Sequence, residues 1–256
     1  MIIQFIQYNM QRLFLSIIIA GTIAACSSTH TAMSNNNTPN TLSLKQQKEG
    51  WKLLFDGKTT NGWHTFNEST IGSAWKVDDG TLHLDASRKG DWQTINGGDI
   101  ICENTYHNFD FKIDWKISVT GNSGVMFYAQ EGPQYHYAWE TGMESQVLDK
   151  VAGDDANVPK CHAGDLYELV ACSKDAVKPA GEWNTLEIIC NEGRLKLLMN
   201  DAKVIDMTLW DDNWKKLIAG TKFATMPGFG MFRSGKFALQ DHGHDVWFRN
   251  IMIKQL

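Results

Sequence analysis

Over residues 109–119 every second position is apolar: Phe109, Phe111, Ile113, Trp115, Ile117 and Val119 alternate with Asp110, Lys112, Asp114, Lys116 and Ser118. A period of two over eleven residues predicts a long strand with one dry face and one wet face. Trp75-Lys76-Val77 and residues 81–84 flank Asp78-Asp79-Gly80, which predicts a hairpin whose glycine supplies the positive φ of the turn. Residues 183–190, 194–199 and 203–207, separated by Asn191-Glu192-Gly193 and Asn200-Asp201, predict a meander. Residues 237–240 and 246–254 add two closing strands, and only 211–218 invites a short helix. Ten or more strands with hardly a helix imply a sandwich or barrel. Strands at both ends of the domain suit a two-sheet jelly roll in which first and last strands pair. No repeat of propeller or solenoid length interrupts this single domain, expected over 49–256.

The pattern breaks at the start of the chain. Residues 1–25 carry one charge, Arg12, followed by an apolar run from Leu13 to Ala20, the n-region and h-region of a secretory signal and too short for a comfortable membrane span. The run ends Ile23-Ala24-Ala25-Cys26, which looks like a bacterial lipobox, with small residues for the signal peptidase and the Cys26 thiol as lipid acceptor. Residues 26–48 are then expected to be a flexible tether. The implied location is exported and anchored in the bacterial cell envelope, facing the periplasm, with the membrane engaged only through the lipid.

Composition narrows the field further. The 256 residues are 43% hydrophobic and 21% charged, enough to bury a core, and the net charge of -5 with 24 Lys+Arg argues against a nucleic-acid partner. Ten tryptophans are many for this length. Most belong to a core, but β domains also use tryptophan to stack on sugar rings. Cys102, Cys161, Cys172 and Cys190 have no disulfide-framework or zinc spacing and read as isolated thiols.

Glu144 and Gln146, in Thr141-Gly142-Met143-Glu144-Ser145-Gln146-Val147-Leu148-Asp149, share one face if that segment is a strand. A carboxylate and an amide two residues apart there suit a polar cleft, as general base or as ligand for sugar hydroxyls or a cation; a solvated outer face is the plainer reading. His162 follows a loop over 150–159 long enough to cover a site, and His242 lies between two expected strands. Asn122 and Ser123, bracketed by Gly121 and Gly124, read first as a turn that aims the Asn122 amide. A Gly-x-Ser-x-Gly elbow, a His-Glu-x-x-His helix, a phosphate loop and a Glu-x-Asp-x-x-Glu strand are all missing from the sequence, which demotes serine hydrolases, zincins, nucleotide enzymes and laminarinase-type glycosidases.

Several sequence words together resemble the 3-keto-disaccharide hydrolase domain family: Gly50-Trp51-Lys52-Leu53-Leu54-Phe55-Asp56-Gly57-Lys58 with Gly62-Trp63, Gly121-Asn122-Ser123-Gly124-Val125, Glu144-Ser145-Gln146-Val147-Leu148-Asp149, Lys178-Pro179-Ala180-Gly181-Glu182-Trp183-Asn184, Leu239-Gln240-Asp241-His242-Gly243 and Val246-Trp247-Phe248-Arg249-Asn250-Ile251. They run in order across nearly the whole domain. One departure is Cys161-His162, where the family commonly shows a His-Arg-type pair. The resemblance implies a concanavalin A-like jelly roll acting on glycosides oxidised at C3.

A ketone at C3 acidifies the C2 proton, so one positioned base and an electrophile near the C3 oxygen are enough to expel the C1 aglycone by β-elimination, and water then adds to the enone. On that chemistry the base is Glu144 or His162, and the enolate is stabilised by His242, by a bound divalent cation, or by both. Gln146, Asn122 and Asp241 orient hydroxyls, and Trp63 stacks on a ring. The competing expectation is a non-catalytic carbohydrate-binding module, since jelly rolls host many lectins.

Overall fold

The computed structural model describes residues 38–256. Its strands are β1 (Lys52–Leu53), β2 (Trp63–Thr65), β3 (Trp75–Asp78), β4 (Thr81–Leu84), β5 (Ile100–Cys102), β6 (Phe109–Ile117), β7 (Asn122–Ala129), β8 (Met143–Leu148), β9 (Asn184–Asn191), β10 (Arg194–Met199), β11 (Ala202–Thr208), β12 (Lys236–Leu239) and β13 (Val246–Gln255). Two short helices, α1 (Leu44–Lys48) and α2 (Asp212–Ala219), accompany them. The strands form two antiparallel sheets. The larger runs β11-β10-β9-β6-β13-β4-β3 with β1 also on β13, and the smaller runs β2-β5-β12-β7-β8. The fold is the two-sheet jelly-roll sandwich read from the sequence. Its first and last strands do pair, Lys52 opposite Ile253 and Leu53 opposite Met252.

The alternation in β6 explains the layering. Phe109, Phe111, Ile113, Trp115 and Ile117 are buried to within 1%, and each such side chain contributes about 1.5–3 kcal/mol relative to exposure. Phe237 on β12 reaches from the smaller sheet to stack on Phe111, with ring centroids 4.0 Å apart, and meets Phe109 edge-on at 4.8 Å. These contacts join the two sheets across the core. A bulge where β7 pairs with β12 puts Tyr128 at a φ of 61°. The extra residue lets neighbouring Phe127 and Tyr128 both enter the main core, while Met126 packs on the other side of the sheet.

Two expectations need amending. The segment read as tether is folded onto the domain from Asn40 onward: Asn40 N–H donates to Asn250 Oδ1 (2.6 Å), Asn250 N–H donates back to Asn40 Oδ1 (2.8 Å), and Asn40 Nδ2 donates to Gly80 O (2.7 Å). Asn40 is buried by these contacts, and Ser43 caps α1 with a reciprocal Ser43–Gln46 box. Low hydropathy marks a stretch without a core of its own, but not one that borrows hydrogen bonds from a neighbouring strand. Asn122 and Ser123 are likewise not a turn. They open β7, and the chain reversal precedes them at residues 118–121. The expected signal peptide and Cys26 lie outside the described residues. Cys102, Cys161, Cys172 and Cys190 are free thiols, and among the described residues no helix is long and apolar enough to cross a membrane.

Candidate active site

The outer face of the smaller sheet carries two rows of facing residues. Glu144 on β8 lies opposite Met126 on β7, which lies opposite Ala238 on β12, and that in turn lies opposite Ile101 on β5. One step along, Gln146 lies opposite Gly124, whose carbonyl accepts from Gln240 N–H at 2.9 Å. Continuing the β12–β5 register by one residue brings Asp99 opposite Gln240. One row is therefore apolar except for Glu144, and the other is polar except for glycine. Residues distant in sequence meet because alternate side chains of antiparallel strands share a face.

Loops wall this face into a cavity of about 340 Å³, within the range of small-molecule sites. Asn122, Glu144, Gln146 and Gln240 contribute its polar floor, with His242 beside them. Trp92, Tyr137 and Trp139 make one aromatic wall; Tyr137 stacks on Trp139 at 5.1 Å and meets Trp92 edge-on at 5.3 Å. Tyr167, Phe223 and Phe229 line the opposite side, with the two phenylalanines stacked at 3.7 Å. Apolar rings with a few convergent polar groups suit a sugar, whose faces carry C–H bonds and whose rim carries hydroxyls.

Glu144 is the central group. It is 7% exposed, and burial, reinforced by the nearby charge of Asp99 and opposed by Lys222, pushes its carboxyl up to about 8. A Cβ on Gly124 would overlap this carboxylate, so the glycine of the opposing strand makes room for it. With its amide nitrogen turned toward acceptors, Gln146 donates to Glu144 Oε1 (3.2 Å) and to Ser123 O (2.9 Å), which fixes the carboxyl without charging it. Asn122 Oδ1 and Gln240 Oε1 are buried and have no protein partner. Such acceptors cost free energy unless a ligand or water supplies hydrogen. Burial also lowers the pKa of His242, keeping a neutral imidazole at the cleft edge, 6.0 Å from the Trp92 ring.

The model of the 3-keto-α-glucoside-1,2-lyase-like domain matches residues 50–254. The chain belongs to that family. A 3-keto-disaccharide hydrolase of Bacteroides thetaiotaomicron is 32% identical to it over 236 residues, covering 84% of this chain and 81% of the relative. Two solved structures from Parabacteroides distasonis, each provisionally named a glycosyl hydrolase, share the fold. One has a TM-score of 0.77 at 32% identity, over 86% of this chain and all of the other; the second has 0.58 at 25%, over 80% and 99%. The cleft occupies the smaller sheet of this family domain, and the sequence words that carry the resemblance fall within the matched region.

Of the residues singled out from sequence, Glu144, Gln146, Asn122 and His242 converge on the cleft. Three do not. Trp63 is 4% exposed in the main core, its indole N–H donating to Leu54 O at 2.7 Å, so no ring face is open to a sugar. Asp241 is fully buried beneath the site: its carboxylate accepts from Thr94 N–H (2.9 Å), Thr94 Oγ1 (2.9 Å), Gly98 N–H (2.8 Å) and Gly243 N–H (2.8 Å). It binds loops together rather than substrate. His162 sits on an exposed turn, its side chain 49% accessible and its Nδ1 3.7 Å from Asp165 Oδ2, and it does not line the cleft. Among the described residues no three His, Cys, Asp or Glu side chains converge to hold a metal ion. The divalent cation entertained from the chemistry has no such donor set here, and the chemistry below uses the chain's own groups.

Sequence reasoning missed Gln240 and the aromatic walls. Gln240 was legible by parity, since an extended Gln240-Asp241-His242 sends first and third side chains to one face and the second to the other. The aromatic segment Tyr135-His136-Tyr137-Ala138-Trp139 carried a composition signal but no periodicity to say where it folds.

Proposed function

We propose that the protein cleaves glycosides whose sugar is oxidised at C3. The observation carrying this reading is the carboxyl of Glu144, held dry beneath aromatic walls beside unpartnered polar atoms of Asn122 and Gln240, while the cleft's other carboxyl, Asp155, is only half-buried. Ordinary glycoside hydrolysis calls for two matched carboxyl groups, whereas a ketone at C3 lets one base begin the reaction. In its ionised form Glu144 takes the C2 proton, and the C2–H electron pair moves into an enolate with negative charge on the C3 oxygen. The neutral imidazole of His242 donates a hydrogen bond to that oxygen. The enolate collapses to restore the C3 carbonyl, forming C1=C2 and breaking the C1–O bond. The aglycone oxygen leaves with the electron pair and takes the proton back from Glu144. Water adds at C1 with a proton to C2, and the sum is hydrolysis.

The surroundings support each assignment. Dryness raises the basicity of Glu144, Gln146 fixes its orientation, and Asn122 with Gln240 hold hydroxyls by accepting from them. The family's 3-keto-disaccharide hydrolase agrees with a saccharide substrate. The same proposal has the domain exported and held at the cell envelope, periplasm-facing, through a lipid on Cys26; metabolic labelling with a clickable fatty acid, compared with Cys26→Ala, tests that part.

The deciding experiment incubates the protein with nitrophenyl glucoside and with its 3-keto derivative, with and without chelator. Release from the keto form alone, reduced ~100-fold by Glu144→Gln, is expected. Release from the unoxidised glycoside would replace this route by a two-carboxylate one using Glu144 with Asp155, which also lines the cleft. Silence on both, with oligosaccharide binding intact, would make the domain a carbohydrate-binding module.

A further inference from the structure

Residues 164–167 lie antiparallel along the outer edge of β8. Gly164 N–H donates to Gln146 O (2.8 Å), Gln146 N–H to Asp165 O (3.0 Å) and Tyr167 N–H to Glu144 O (3.0 Å), with Ser145 facing Leu166. That register sets Tyr167 opposite Glu144. Opposite residues of an antiparallel pair share a face, with Cβ atoms about 4.5–5.5 Å apart, and both side chains line the cleft. We propose that Tyr167 is a further catalytic residue, whose hydroxyl carries the proton from Glu144 to the aglycone oxygen as the C1–O bond breaks. The inference rests on the function proposed above and assigns its leaving-group half. Without Tyr167, one carboxyl fixed by Gln146 would have to meet both C2 and the oxygen on C1.

Three observations carry it. First, the Tyr167 hydroxyl donates to Asp155 Oδ2 at 3.4 Å, a bond long enough to be exchanged for one to an aglycone oxygen. Second, Lys222 Nζ sits 4.7 Å above the Tyr167 ring and is itself held by Glu168 Oε1 at 2.7 Å. The cation fixes the ring and stabilises negative charge on the phenol oxygen while a proton passes through it. Third, burial, reinforced by the charge of Asp155, pushes the phenol above its ordinary pKa. A proton held that tightly is not lost to water, and passes only to an oxygen of comparable basicity, such as an alkoxide leaving a sugar carbon. The other donors of the cleft are engaged elsewhere. Lys222 is paired with Glu168, Tyr137 is stacked on Trp139 at the far wall, and His242 serves the C3 oxygen.

The step balances without a co-reactant. As the C1–O bond breaks, the Tyr167 O–H bond breaks with it and its proton goes to the aglycone oxygen. The phenol oxygen takes the proton that Glu144 received from C2. One proton has moved from C2 to the aglycone, both residues are restored, and nothing is oxidised or reduced.

The test compares methyl and 4-nitrophenyl 3-keto-glucosides as substrates of the full chain and of its Tyr167→Phe and Glu144→Gln variants. Nitrophenol leaves as its anion, whereas methanol needs a proton as it departs. Tyr167→Phe should lower kcat/KM on the methyl glycoside at least ~100-fold and widen the nitrophenyl-to-methyl ratio at least ~30-fold. Glu144→Gln should lower both and leave the ratio alone, because loss of the C2 proton precedes either departure. A second measurement needs no variant. In D2O the Tyr167 hydroxyl carries deuterium while Glu144 carries the proton just taken from C2, so relay through Tyr167 slows methyl release about twofold and direct return from Glu144 does not. An unchanged ratio in Tyr167→Phe, or equal methyl release in H2O and D2O, overturns the assignment and leaves the proposed function standing. A full chain that cleaves neither keto-glycoside removes the ketone-dependent reaction and the part of Tyr167 in it together.

Discussion

Replacing Glu144 by glutamine keeps the shape of the side chain and removes its titration, which makes stability against pH a direct probe of the buried carboxyl. The folded-state pKa is raised from 4.5 to about 8. A group raised in the fold favours its protonated form there, so its stabilising effect is complete below the unfolded pKa. The effect is lost as pH rises through the folded value. In the window between, each pH unit removes about 1.4 kcal/mol. From pH 5 to pH 8 the loss integrates to about 3 kcal/mol, because titration is already under way at the lower end and incomplete at the upper. Urea unfolding of wild type and Glu144→Gln at pH 5, 6, 7 and 8 measures it. The variant is expected to lose about 3 kcal/mol less across that range, though not to become flat, because Asp99 is raised to about 7 by burial and contributes a slope of the same sign. Two parallel stability curves would refute the reasoning: Glu144 would then have an ordinary pKa, and the cleft would be wet.

Other outcomes follow from the same geometry. With Glu144 as base, kcat/KM on a 3-keto-glycoside should rise nearly tenfold per pH unit below about 8 and level off above it, and a rate falling with pH would assign the carboxyl an acid role instead. Gly124→Ala drives a methyl into the Glu144 carboxylate, so turnover should drop at least tenfold with a stability loss of about 1–3 kcal/mol; unaltered kinetics would mean that Glu144 needs no fixed position. Asp241→Ala leaves the N–H groups of Thr94, Gly98 and Gly243 without their acceptor and should cost at least about 3 kcal/mol in denaturant unfolding, far beyond what a hydroxyl-orienting surface group would cost.

The successes and failures of the sequence reading have one physical cause. Where a strand has one dry and one wet face, alternation is imposed by burial and is legible: β6, the hairpin of β3 and β4, and the meander β9 to β11 all lie close to their expected bounds. Glu144 and Gln146 were legible for the same reason, since two polar residues at alternate positions must share a face whatever covers it. In β8, however, every residue is buried, and alternation says which side chains share a face but not what lies above them. The covering loops decided that, and loops have no period. Trp63 shows the same gap from the other side. A tryptophan near Gly62 serves equally as platform or as core, and the choice was made by Leu54, whose carbonyl holds the indole inward.

Asp241 is the sharper case, because parity alone resolves it. In an extended stretch that places Gln240 on the cleft floor, Asp241 must point away, into the loops at residues 94–98 and 243. A carboxylate sent into protein rather than solvent has to be met by donors, and backbone N–H groups from glycine-rich turns approach closely enough to do so. Gly98 and Gly243 are therefore the sequence counterpart of Asp241, separated from one another by more than 140 positions yet bound to one carboxylate, with Gly97 leaving room for it. The clamp holds Asp99 near Gln240 and so keeps the polar row in register across the cleft floor. In this fold a buried acid sets the floor on which another acid, Glu144, is kept dry.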